Sequence, residues 1–221
     1  RSPVAGVLHA LVADHVVQGR VIFPGMGYLE MARAVTTSDA PALNSVFFLQ
    51  PLVADAGGLV VECAVLDGRF EVRSAEDDAF LDAAVHCSGG FGTTESGRTV
   101  ERAMMRARSC VHAAHLSALY DGFDASGLQY GPGYRTLVQA WGGAKNALAR
   151  LRARSTQEGT QVHPADLDDA TCASGVIDRD HGSSGETRLP FAVDDALLHG
   201  APGELWAVRL RDLQALSNAL A

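Results

Sequence analysis

Apolar residues fall into two kinds of pattern along this chain. Short runs rich in β-branched and aromatic residues predict strands over Val16–Phe23, Ser45–Val53, Leu59–Leu66, Arg69–Ser74 and Phe80–Cys87. A second set follows at Leu137–Trp141, Ala147–Ala153, Phe191–Leu198 and Leu205–Leu210. Two other segments repeat at helical spacing. Met26, Leu29, Ala32 and Val35 share a stripe in Pro24–Val35, and Leu167, Ala170 and Ala173 share one in Pro164–Ala173. Each opens on a proline, which suits a first helical turn because the missing N–H would have no partner there. One buried helix among several strands, occurring twice, predicts an α+β chain of two similar halves. The stretch Ser88–Arg98, rich in Gly, Ser and Thr, reads as a loop. The expected division is 1–98 for the first half, 99–111 for a linker that includes the basic run Arg102–Arg108, and 112–221 for the second half, opened by a short helix over His112–Tyr120.

Composition narrows the picture. With 221 residues, 47% hydrophobic and 20% charged, the chain has the make-up of an ordinary globular protein, which excludes wholesale disorder. Apolar runs such as Leu59–Val65 are broken by charge long before the roughly 20 residues a bilayer requires, so no membrane span is expected. A net charge of −8 argues against nucleic acid as a partner. Cys63, Cys87, Cys110 and Cys172 form no CxxC pair, so neither a zinc site nor a redox motif is signalled and no metal is expected. The first ten residues lack the pattern of a signal peptide and read as an internal edge of a larger protein, in a reducing, cytoplasmic compartment.

Three segments carry candidate chemistry. Among eight histidines, His15 stands out because it heads the strand that runs through Gly19 to Pro24 and Gly25 at the start of the first helix. Taken alone, His15 could be a polar strand opening, and Gly19 a bulge. The second segment, Leu128–Tyr134, is a turn cluster of Tyr130, Gly131, Pro132 and Gly133 between aromatics, which by itself suits a tight loop with half-buried tyrosines. The third is His163–Cys172. Asp168 and Cys172 are four apart and share a helix face near the buried stripe. Asp166 and Asp169 are expected to face solvent, where the helix N-terminus favours them.

Together these segments resemble the dehydratase domains of modular polyketide synthases and related fatty acid synthases. His15-x-x-x-Gly19-x-x-x-x-Pro24 matches that family's HxxxGxxxxP signature. Gly127 to Tyr134 resembles GYxYGPxF, with Tyr130, Gly131 and Pro132 in place. His163, Pro164 and Asp168 match HPALLD, and Leu189-Pro190-Phe191 resembles LPFxW. Three positions depart from the pattern: Cys172 stands where Gln or His is usual, Val193 where Trp is usual, and Leu128 where an aromatic is common.

The resemblance implies a double hotdog, two fused halves that each wrap a curved antiparallel sheet round a central helix. It implies no cofactor of the domain's own, the substrate arriving on the phosphopantetheine of an acyl carrier protein. Partners implied are that carrier, neighbouring synthase domains and, as is common in the family, a second copy in a homodimer. The implied reaction is dehydration of a β-hydroxyacyl thioester, with His15 as base and Asp168 as acid. Neutral imidazole suits proton abstraction near pH 7, and a carboxyl group donates only if burial keeps it protonated. Gly25 at a helix start would face enolate charge, Tyr130 the hydroxyl, and Cys172 the carboxyl. Gly19, Pro24, His163 and Pro164 are then structural, and Gly131 and Pro132 shape the substrate site. A related double-hotdog cyclase or isomerase, a non-catalytic acyl-binding hotdog and a hotdog thioesterase are the alternatives. Arg150, Arg152 and Arg154, or Arg102, Arg106 and Arg108, are candidates for a basic dock on an acidic carrier, against the plainer reading of a solvated strand edge.

Overall fold

The computed structural model describes residues 1–36, 42–55, 57–76, 80–93, 100–177, 187, 189–198 and 204–210. The first half is built on a six-stranded antiparallel sheet. Its strands are β1 (Ser2–Pro3), β4 (Ala42–Phe48), β5 (Val60–Leu66), β6 (Arg69–Ala75), β7 (Ala84–Gly92) and β12 (Ala192–Leu197), in the order β1-β5-β6-β7-β4-β12. Helix α1 (Gly6–Val12) follows β1, and α2 (Gly25–Ala34) is the central helix. Met26, Leu29 and Ala32 of α2 share one core with Val46, Val61, Phe70 and Val72 of the sheet.

A four-stranded sheet, β13-β11-β10-β8, carries the second half: β8 (His112–Ala113), β10 (Leu137–Gly142), β11 (Asn146–Leu151) and β13 (Trp206–Leu210). Helix α4 (Leu116–Ala125) and the central helix α5 (Pro164–Cys172) belong to it. Ala165, Cys172, Ala140, Ala149 and Leu151 form its core with Tyr130 and Tyr134. A third sheet stitches the halves together. It pairs the hairpin β2 (His15–Val17) and β3 (Arg20–Val21) with β9 (Leu128–Tyr130), placing His15 opposite Tyr130. The architecture is an α+β double hotdog, as the resemblance implies. β12 crosses the expected division, since it follows residue 112 yet pairs with β4.

Several predicted elements differ in detail. Val16–Phe23 is a hairpin rather than one strand. Gln18 and Gly19 take φ of +50° and +76°, so Gly19 is a turn residue, not a bulge, and it supplies the twist that tight hairpins favour. Pro24 is the residue before α2, not within its first turn. The strand expected to reach Val53 ends at Phe48, and Val53 keeps a single bridge to Ile22. Ser88–Gly92, expected as loop, is the second half of β7. It pairs with β4 on one side and β6 on the other, and the Phe70 ring lies over Gly89. Residues 94–98 of that stretch lie outside the described residues.

The described residues of the expected linker, 100–111, are largely helical. Residues 102–104 form a short helix, α3, that widens into a five-residue turn closed by Cys110 N–H to Met105 C=O at 2.8 Å. Met105 and Cys110 are buried there against Leu148. His112 and Ala113 form β8, so the following helix begins only at Leu116. All four cysteines are free thiols. Among the described residues no helix is long and apolar enough to cross a membrane.

Candidate active site

The hairpin fixes His15 twice. Its carbonyl accepts from the Ile22 N–H at 3.1 Å, and its ring Nδ1 lies 2.6 Å from the Ile22 carbonyl oxygen. A carbonyl only accepts, so Nδ1 carries a proton, and in the neutral ring Nε2 is then the nitrogen with the lone pair. That lone pair faces Asp168 Oδ2 at 3.7 Å. The separation is too long for a hydrogen bond, so neither group is committed to the other. Both are almost wholly buried, His15 at 4% and Asp168 at 6% exposure.

Helix α5 brings the carboxyl group to this point. His163 caps the helix, its Nδ1 accepting from the Ala165 N–H at 3.2 Å, and Pro164 occupies the first turn. Burial and the nearby Arg154 push the His163 imidazole down to about 4, so it serves as a neutral cap. Burial raises the Asp168 carboxyl, opposed by His15 and by a hydrogen bond from Tyr130. Asp168 Oδ2 has no hydrogen-bond partner, an unusual state for a buried oxygen. Cys172, one turn on, meets the Tyr130 hydroxyl at 3.5 Å, so it touches the carboxyl's donor, whereas it was expected to orient the carboxyl itself. Burial also lifts the Cys172 thiol well above its usual range.

Around this pair opens a cavity of about 1440 Å3. Its buried floor is formed by His15, Phe23, Tyr28, Tyr130, Asp168 and Cys172. Gly25 also lines it, as the first residue of α2, where the backbone N–H groups have no helical partners. Leu189 and Pro190 lie on the exposed rim. Val193, in the position of the motif's Trp, packs partly buried on the first core.

Gly131 and Pro132 are not on the cavity wall, contrary to their expected place in the substrate site. They belong to a turn clamped by Asp14. The Gly131 N–H donates to the Asp14 carbonyl at 2.8 Å, and the Gly133 N–H to Asp14 Oδ2 at 2.6 Å. A side chain at Gly131 would collide with that carboxylate, so glycine is required there by space. The clamp seats Tyr130 and Tyr134 with ring centroids 5.7 and 5.4 Å from that of His15.

The expected solvent-facing carboxylates are both buried. Asp169 is fully enclosed and accepts from the Tyr120 hydroxyl at 2.7 Å, the Thr136 N–H and hydroxyl at 2.5 and 2.9 Å, and the Leu137 N–H at 2.8 Å. Asp166 is paired with Arg154 at 2.8 Å. That pair also removes Arg154 from the candidate basic dock. Arg150 is paired with Glu204, and Arg152 reaches the Pro132 carbonyl. Arg102 and Arg106 lie over the stacked rings of Trp206 and Trp141.

Two residues were overlooked. Asp14 signals itself only as an acid next to the histidine. Glu30 is an acid on the buried side of α2, and it ties that helix to the approach to α5. It accepts from the Gln161 N–H at 2.7 Å while holding Arg33. Among the described residues no group of three or more metal-ligating side chains comes together.

Comparison with known proteins agrees with this arrangement. Residues 1–75 match the family model described as polyketide synthase dehydratase domain, and residues 101–217 match the one described as polyketide synthase dehydratase N-terminal domain. The polyketide synthase ThaG of Burkholderia thailandensis is 33% identical over 90% of this chain, which spans only 4% of that relative's length. A dehydratase domain of a trans-AT polyketide synthase from Brevibacillus brevis superposes with a TM-score of 0.75 at 26% identity, covering 90% of this chain and 76% of that one. The dehydratase domain from the CurF module of curacin polyketide synthase gives 0.76 at 23% identity, covering 92% and 80%. With one imidazole and one carboxyl brought together from the segments that these two models match, the chain belongs to the polyketide synthase dehydratase family.

Proposed function

We propose that this domain removes water from a β-hydroxyacyl thioester carried on the phosphopantetheine arm of an acyl carrier protein, leaving an α,β-enoyl thioester. One observation carries the proposal: His15 Nε2 and the unpartnered Asp168 Oδ2 face each other at 3.7 Å in a mostly apolar cavity. Nε2 takes the α-proton as the α C–H bond breaks, and the electron pair forms the new C=C bond. The β C–O bond breaks as Asp168 gives its proton to the departing hydroxyl, which leaves as water. The proton on His15 then returns to the Asp168 carboxylate, and both groups are reset. The Gly25 N–H at the start of α2 stabilises the thioester oxygen as charge develops. Tyr130 holds the carboxyl.

In this reading the domain works in the cytoplasm beside the other domains of a synthase, and pairs with a second copy of itself. The two halves divide at 98 and 112, with β12 returning to the first sheet. The test is mass-spectrometric detection of water loss from a β-hydroxyacyl pantetheine thioester, with His15→Phe as the control. A loss of about 10²–10⁴-fold is expected for that variant. Undiminished turnover in His15→Phe would exclude the base, and a cyclised or double-bond-shifted product in place of the enoyl ester would exclude dehydration.

A further inference from the structure

Among the described residues that line the catalytic cavity, Cys172 is the one thiol, and it is free. Cys87 is sealed in the first core and Cys110 against Leu148, while Cys63 packs partly buried on the first core. Cys172 is buried too, and its Sγ donates to the Tyr130 hydroxyl at 3.5 Å. Tyr130 in turn donates to Asp168, so a chain of S–H, O–H and carboxyl runs from the sulfur to the group that handles the leaving hydroxyl. The Oδ2 of that carboxyl group is buried and unpartnered beside the same cavity.

The chemistry read for this cavity ends on an electrophile. Loss of water turns the β-carbon into the end of a double bond conjugated with the thioester carbonyl. At that moment Asp168 is a carboxylate and His15 holds the α-proton, the charge state that an addition needs. Burial keeps the Cys172 thiol from ionising unaided, so its reaction requires a base connected to it, and Tyr130 makes that connection.

We propose that Cys172 captures the enoyl product by conjugate addition, giving a reversible thioether at the β-carbon. This rests on the dehydration reading above. The Sγ–H bond breaks, and its proton passes through the Tyr130 hydroxyl to the Asp168 carboxylate. The sulfur electron pair forms the Sγ–Cβ bond, and the electron pair of the double bond takes the proton from His15 Nε2 to form a Cα–H bond. The adduct is the sum of thiol and enoyl thioester, with nothing lost. In the reverse direction His15 removes the α-proton and Asp168 returns a proton to sulfur.

The experiment incubates the chain with crotonyl pantetheine, a ready-made enoyl thioester, and reads the intact protein mass after acid quenching, followed by peptide mapping. A gain of one whole probe mass is expected, on the peptide that contains Cys172, and it disappears after free probe is removed. Butanoyl pantetheine, which lacks the double bond, gives no gain, and Cys172→Ser abolishes it. Tyr130→Phe slows the addition about tenfold and His15→Phe about a hundredfold. No adduct at saturating probe, modification of Cys63 at the same rate, or unchanged rates in both Tyr130→Phe and His15→Phe overturn the proposal. Because the probe is already dehydrated, the two readings fail separately. A Cys172 adduct in a chain that removes no water from a β-hydroxyacyl thioester refutes dehydration and leaves the capture site standing. Water loss with no adduct refutes the capture alone.

Discussion

Two adjacent carboxylates on α5 meet opposite fates. Asp169 turns towards the core of the second half and is saturated with donors from Tyr120, Thr136 and Leu137. Asp168 turns towards the cavity, and one of its oxygens has no partner. Both are buried, so burial alone does not separate a structural acid from a chemical one. The separating feature is hydrogen-bond supply. A buried carboxylate with every lone pair answered braces the fold, and one left short has an oxygen available for substrate.

Exchanging those roles by mutation tests the comparison. Asp168→Asn should lower dehydration by about 10²–10⁴-fold while the chain remains folded. Its stability should respond to pH in a definite sense. Burial raises the Asp168 carboxyl, so between its unfolded value and its folded one the native chain holds a proton that the unfolded chain has released. Stability therefore falls as pH rises through that window. Asparagine has no proton to lose, so Asp168→Asn should melt higher than wild type at alkaline pH and show no such gain near pH 3. A higher melting temperature at both pH values would contradict the assignment. Asp169→Ala should do the reverse, stripping three sets of donors and costing about 3–5 kcal/mol in urea denaturation.

Tyr130→Phe sharpens the contrast further. Its hydroxyl lowers the Asp168 carboxyl, so removing it should move the alkaline limb of the pH–rate profile upward, with kcat at neutral pH falling about tenfold or less. An alkaline limb that stays in place would mean that another group sets it. His163→Asn bears on the other end of α5. The wild-type imidazole titrates at about 4 when folded and near 6.5 when unfolded, so acidification through that interval protonates the unfolded chain first and destabilises the fold. Asparagine can still cap, and acid unfolding of that variant should become shallower over the same interval. The smallest effect belongs to Cys172→Ala. The thiol contacts Tyr130 at 3.5 Å and donates little, so kcat should change by about threefold or less.

How much of this was legible in the sequence varies by element. Both central helices were, because each follows or opens on a proline and then repeats at helical spacing. So was the His15–Asp168 couple, through the motifs that carry it. The second half of β7 was not, since its Gly-rich composition signals a loop, while the chain folds it between two strands with Phe70 over its surface. The hairpin at Gln18–Gly19 hid inside an apolar run because only two residues turn. Asp166 and Asp169 were misplaced for a related reason. Their partners, Arg154, Tyr120, Thr136 and Leu137, lie 12 to 49 residues away, and no local pattern announces a bond formed across that distance. Four arginines of the basic clusters have partners that were hidden in the same way: Arg150 and Arg154 meet Glu204 and Asp166, and Arg102 and Arg106 lie on the tryptophan faces.

The pairing of β2 with β9 and of β4 with β12 has a consequence for anyone recombining such chains. Each half lends the other a strand, and His15 sits directly across from Tyr130 in one of those shared ladders. A chimera spliced between residues 98 and 112 would set foreign edges against each other in two places at once. Productive crossovers therefore have to carry the sequence from Ser2 to Leu210 as one inherited block, with cut points outside it.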